Sequence, residues 1–197
     1  MGEQATGEIV HNADSRDHFE VLGLPRVLCI DEARLSEHFY KLSRLYHPDF
    51  HQNDPPSERV ASLRRTAAVN DAYKTLRDPY ERGKWWLEFV GGRLDQNISV
   101  PQDLVALVFE VQDDLSEFGD EHGTVREATV RGRRREVSEL LARRVGELGE
   151  EFARWDLLPQ EVSRDDLADD LQQALAAVSY LSTLLRDIDT ALENVTT

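Results

Sequence analysis

The chain has 197 residues, 40% of them hydrophobic and 31% charged, with 23 Lys+Arg against 38 Asp+Glu and a formal net charge of −15. So acidic a surface repels phosphate backbones and argues against general nucleic-acid binding. One cysteine, Cys29, excludes an intramolecular disulfide framework and a cysteine-based zinc or iron–sulfur site, and no run reaches the roughly eighteen apolar residues of a membrane span.

Residues 1–14 are polar and include Glu3, Glu8 and Asp14, without the basic start and apolar stretch of a secretory signal. They read as a disordered leader, and the protein reads as cytoplasmic. Four helices are expected next. Ser15 can cap a short one containing Phe19, Val21 and Leu22, stopped by Gly23 and Pro25. Asp31 opens a second, where Leu35, Phe39, Leu42 and Tyr46 make one apolar stripe and Pro48 ends the helix. Ser57 begins a third through Val60, Leu63, Ala67, Tyr73 and Leu76. Asp78-Pro79 caps and opens a fourth that runs to about Val90, and its Trp85, Trp86, Leu87, Phe89 and Val90 must pack on something.

Charge is unevenly spread. Residues 1–90 hold 12 basic and 15 acidic side chains, while residues 91–197 hold 11 and 23. Gly91, Gly92, Asn97, Ser99 and Pro101 mark a linker over 91–100. Three long helices then fill 101–197. The first opens at Pro101 with a seam of Leu104, Val108, Val111, Leu115 and Phe118. Gly119 and Gly123 precede the second, which buries Val137, Leu141, Leu148 and Phe152 and breaks at Pro159. Ser163 and Asp166 form a capping box for the third, with the seam Leu167, Leu171, Ala174, Val178, Leu181, Leu185, Ile188 and Leu192. Short connections imply an antiparallel three-helix bundle.

The sharpest local feature is His47-Pro48-Asp49, held in a tight turn beside a helical face carrying Arg34, His38, Lys41 and Arg44. From local chemistry alone, a proline-stopped helix with a solvated face is the simpler reading. The context adds more. Phe39-Tyr40-Lys41-Leu42-Ser43-Arg44-Leu45-Tyr46-His47-Pro48-Asp49 and Asn70-Asp71-Ala72-Tyr73-Lys74-Thr75-Leu76-Arg77-Asp78-Pro79 resemble the second helix, loop and third helix of the J-domain family, in the right order. That resemblance covers the J-domain assigned to 15–90. It implies that His47, Pro48 and Asp49, supported by Arg34, Lys41 and Arg44, engage a heat-shock chaperone of about seventy kilodaltons and stimulate its ATPase.

Tyr80-Glu81-Arg82-Gly83-Lys84-Trp85-Trp86-Leu87, followed by an acidic helical bundle, is similar to the HscB family of co-chaperones for iron–sulfur cluster assembly. The resemblance implies an all-α, L-shaped molecule in which Trp85, Trp86 and Phe89 pack between the domains. It implies two partners, a scaffold protein of the IscU type and a chaperone of the HscA type. In the helix from Pro101, Val105 and Phe109 lie outside the seam on a face shared with Glu110, Asp113 and Glu117. On the residues alone these two either form an interface or widen the buried stripe. The resemblance assigns scaffold binding to Val105, Ala106, Phe109, Glu110, Asp113 and Glu117, with Tyr180 as an aromatic contact.

Weaker features lead elsewhere. His47 and His51 cannot share a helical face across Pro48, so no metal site is expected. Arg131, Arg133, Arg134 and Arg135, flanked by Glu127, Glu136 and Glu139, read as a solvated face with salt bridges. Cys29 reads as a small apolar filler. With no phosphate-cradling loop and no catalytic dyad, the chain is expected to act as a co-chaperone without a cofactor and not as an enzyme. The alternatives are a general J-protein presenting unfolded clients and an acidic structural bundle without chaperone activity.

Overall fold

Every described element is helical, and the reason lies in the caps and apolar stripes of the sequence. The structure is a computed structural model that describes residues 16–91, 100–120, 124–159 and 164–195. The proposed leader, most of the proposed linker, Gly123 and Ser163 lie outside those residues. Backbone contacts divide the chain into two units, Met1–Phe89 and Val90–Thr197.

The first unit begins with α1, His18–Leu22. Its cap is Asp17, whose carboxylate accepts the amides of Phe19 and Glu20 and pairs with Arg26. Ser15, the expected cap, lies outside the described residues and the role belongs to Asp17. Gly23, at φ 64, closes the helix in the left-handed region that glycine enters without steric cost. Asp31 caps α2, Glu32–Leu45, through the amides of Ala33 and Arg34, as its position suggested. A 3-10 turn, Pro48–His51, leads into α3, Pro56–Arg77, which starts at a proline one residue before the expected Ser57. Asp78 then caps α4, Pro79–Phe89, accepting from Tyr80 and Glu81.

α2 and α3 form an antiparallel hairpin. Ser36 meets Tyr73 near one end, and the Tyr46 carbonyl meets Ser62 and Thr66 near the other. Phe39 stacks on Tyr73 with centroids 4.0 Å apart. Leu35, Leu42, Val69, Ala72 and Leu76 close this core with Phe19, Val21 and Leu22 of α1. Val60 and Leu63 are exposed, because Tyr46 pairs with Ser62 and the first turns of α3 extend past the end of α2.

The aromatic load of α4 is taken up inside this unit. Trp85 stacks on His18 at 4.5 Å, and Trp86 meets Phe19 edge-on at 5.8 Å. Phe89 stacks on Trp85 at 4.9 Å and is 42% exposed. Pairs of this kind contribute about 0.5–1.5 kcal/mol each beyond area burial. Trp85 and Trp86 thus have partners in α1 within this unit.

In the second unit Pro101 precedes a 3-10 turn, Gln102–Leu104, and α5 follows at Val105–Asp120, with Gly119 inside it. α6 spans Thr124–Leu157, bounded by Pro159, and α7 spans Asp165–Val195, with Asp166 in its first turn. Leu104, Val111 and Phe118 meet Val130 and Val137 of α6 and Ala177, Leu181, Leu184 and Ile188 of α7 in one core. The expected seams lie in or against the buried face. α7 buries a wider stripe that adds Leu175, Ala176, Ala177 and Leu184. It packs against both α5 and α6, and two neighbours need more than one seam. Among the described residues, no helix is long and apolar enough to cross a membrane.

Candidate functional site

The turn after α2 is shaped by its proline. A residue before proline is pushed out of helical geometry, and His47 sits at φ −60, ψ 129. Its ring and the Asp49 carboxylate both face solvent, at 51% and 71% exposure. The Asp49 amide donates to His47 Nδ1 at 3.3 Å, which leaves Nε2 to carry the proton of the neutral ring. Gln52 donates to the other side of Asp49 at 3.3 Å, and Phe50 stands exposed in a T-shaped contact with the His47 ring.

The backbone beneath these side chains is tied down. The last carbonyls of a helix lack intrahelical donors and need others. Here Ser62 and Thr66 of α3 donate to the Tyr46 carbonyl at 2.8 and 2.6 Å, and His51 Nε2 lies 3.1 Å from the Leu45 carbonyl. Arg65 also covers the Tyr46 ring. A fixed backbone thus presents exposed polar side chains that bond only within the turn among the described residues.

Arg34, Lys41 and Arg44 lie exposed along α2, and among the described residues no ion pair holds them. His38, which sequence placed with them, has another task. Its Nδ1 sits 2.8 Å from the Leu22 carbonyl and joins α2 to α1. His18, by contrast, is held below its ordinary pKa, chiefly by burial, with Asp71 and Asp17 opposing.

On α5, Phe109 is 65% exposed and Val105 37% exposed, beside exposed Ala106, Glu110, Asp113 and Glu117. Phe109 therefore does not widen the buried stripe. The acids around it are partly engaged. Arg133 of α6 reaches Glu110 at 2.9 Å, Asp114 at 2.8 Å and Glu136 at 2.8 Å, and Arg126 reaches Glu117 at 2.7 Å. Sequence reading missed Asp114, Arg126 and the reach of Arg133 across helices. Tyr180 is half-buried against the bundle core.

The arginine run of α6 is a set of clasps. Arg131 pairs with Glu127 within the helix, as the spacing suggested, while Arg134 crosses to Asp189 of α7. Cys29 is exposed, so its reading as a small apolar filler is corrected: it falls in the irregular segment between α1 and α2. His51 pairs with Asp54.

Residues 17–85 match the DnaJ domain. With the helical hairpin and its His-Pro-Asp turn, this makes the chain a J-domain protein. Over 116 residues it is 32% identical to the co-chaperone protein HscB homolog of Shewanella oneidensis, spanning 56% of this chain and 67% of that protein. Over 128 residues it is 31% identical to the iron-sulfur cluster co-chaperone protein HscB of Mus musculus, spanning 64% and 55%. The chain belongs to the HscB family of co-chaperones. The fold agrees with two solved structures. The chaperone HscB from Vibrio cholerae aligns with TM-score 0.70 at 19% identity, over 91% of this chain and 99% of that one. Human co-chaperone protein HscB aligns with TM-score 0.67 at 20% identity, over 96% and 93%.

Proposed function

We propose that this co-chaperone works through two surfaces. The turn His47-Pro48-Asp49, with Arg34, Lys41 and Arg44, engages a 70 kDa heat-shock chaperone of the HscA type and stimulates its ATPase. The α5 face of Val105, Ala106, Phe109, Glu110, Asp113 and Glu117, with Tyr180 beside the core, binds an iron–sulfur scaffold protein of the IscU type. One chain holding both partners raises the local concentration of each for the other. Stimulated hydrolysis then locks the chaperone on the scaffold, so that its cluster passes to acceptor proteins. The iron–sulfur assignment draws on the name of the mouse relative.

The observation that carries this reading is the braced turn. Its His47 and Asp49 side chains stand largely in water, while Ser62, Thr66 and His51 hold the carbonyls beneath them and Arg65 covers the Tyr46 ring. Rigid presentation of polar groups suits recognition, because little ordering entropy remains to be lost on binding. The cations of α2 fit an acidic partner surface and would steer association. In the test, Asp49→Asn is compared with the unmodified chain in steady-state ATP hydrolysis by the chaperone. Loss of stimulation with an unchanged melting temperature supports the reading. Retained stimulation overturns it.

A further inference from the structure

We propose that His51, as the imidazolium, is a positioning residue that clamps the end of α2 to Asp54 across the His47-Pro48-Asp49 turn. The inference rests on the reading of that turn as the chaperone contact. Its Nδ1 lies 2.7 Å from an Asp54 carboxylate oxygen, and its Nε2 lies 3.1 Å from the Leu45 carbonyl. Both partners only accept hydrogen bonds. A neutral imidazole carries one N–H, so it can satisfy one of them, and only the cation satisfies both. The two anchors, residues 45 and 54, enclose the whole turn between α2 and α3.

The surroundings favour the cation. Asp54 follows the turn and Glu58 sits in the first turn of α3, while α2 offers the Leu45 carbonyl. The ring is raised above the ordinary histidine value of 6.5, first by its bond to Asp54, next by the Leu45 carbonyl, against a small opposing effect of burial. Because the folded value is raised, the clamp is complete below about pH 6.5 and is withdrawn as pH rises through the folded value. The neutral ring then gives up one anchor, leaving either the last turn of α2 or Asp54 without its donor. Asp49, two residues away, loses part of the frame that holds it in place.

The test uses the full chain with a 70 kDa chaperone of the HscA type, from about pH 6 to about pH 8.5. Stimulation by the unmodified chain is divided by that of His51→Gln on the same chaperone at each pH, which removes the chaperone's own pH dependence. The ratio should fall about threefold as His51 loses its proton, the size of one lost hydrogen bond. Asp54→Asn should flatten the fall. Nitrogen-15 spectra of the ring should show both nitrogens protonated at about pH 6.5, with a midpoint above that value. A ratio flat with pH, or a ring carrying one N–H at about pH 6.5, overturns the proposal while Asp49→Asn remains inactive. Full stimulation by Asp49→Asn instead overturns the reading of the turn and this proposal with it.

Discussion

The two candidate surfaces handle charge in opposite ways. In the first unit the backbone is locked and the side chains stay accessible: His47 and Asp49 bond within the turn yet are mostly exposed, and Arg34, Lys41 and Arg44 line α2 outside the described ion pairs. In the second unit Glu110 and Glu117 already have arginine partners on α6, and Phe109 is the large group left open. A partner of the first surface meets cations that need not be released from anything. A basic partner of the second competes with Arg133 and Arg126 for their carboxylates. Binding energy at the α5 face should therefore come mainly from the apolar anchor, with the acids giving register and steering.

That contrast can be broken most sharply at Asp49. Asp49→Asn should abolish most of the chaperone stimulation and leave urea unfolding unchanged, since the exposed carboxylate holds no core element. Next in size is Phe109→Ala, which should weaken scaffold binding by about 1–3 kcal/mol, measured by calorimetry, with circular dichroism unaffected. A loss of helicity would instead show that Phe109 supports the fold. Replacing Arg34, Lys41 and Arg44 together by alanine should slow chaperone association several-fold in low salt, with the difference shrinking as salt is added. The same treatment of Arg131, Arg134 and Arg135 should leave that rate nearly unchanged. At Arg133→Ala the fold itself should weaken, by about 1–2 kcal/mol in urea unfolding, because one guanidinium joins α5 to α6.

Much of this molecule could be read from its sequence, for reasons that differ along the chain. The helices of the bundle announce themselves by apolar spacing, and Asp31 and Asp78 by their place before helical runs. The turn at His47 was visible because a proline acts locally and its cations lie on the same helix. Features that depend on the register between helices were hidden. Nothing in the order of residues says that Arg133 faces Glu110 and Asp114, twenty-three and nineteen positions earlier. That meeting requires the antiparallel placement of α5 on α6. His38 and Val60 show the same limit: a basic face and an apolar run changed meaning once α1 supplied a carbonyl and α2 ended short of the start of α3. Trp85 and Trp86 were rightly read as needing a partner, and His18 and Phe19 of α1 supplied it.

The claim that one chain carries two separable surfaces is tested most directly by single-turnover ATP hydrolysis in the chaperone, with and without the scaffold protein, using three forms of the chain. The unmodified chain should stimulate alone and stimulate further with scaffold present. Val105→Ala/Phe109→Ala should keep the first effect and lose the second, while Asp49→Asn should lose both. Loss of stimulation without scaffold in Val105→Ala/Phe109→Ala, or a retained effect in Asp49→Asn, would contradict the account.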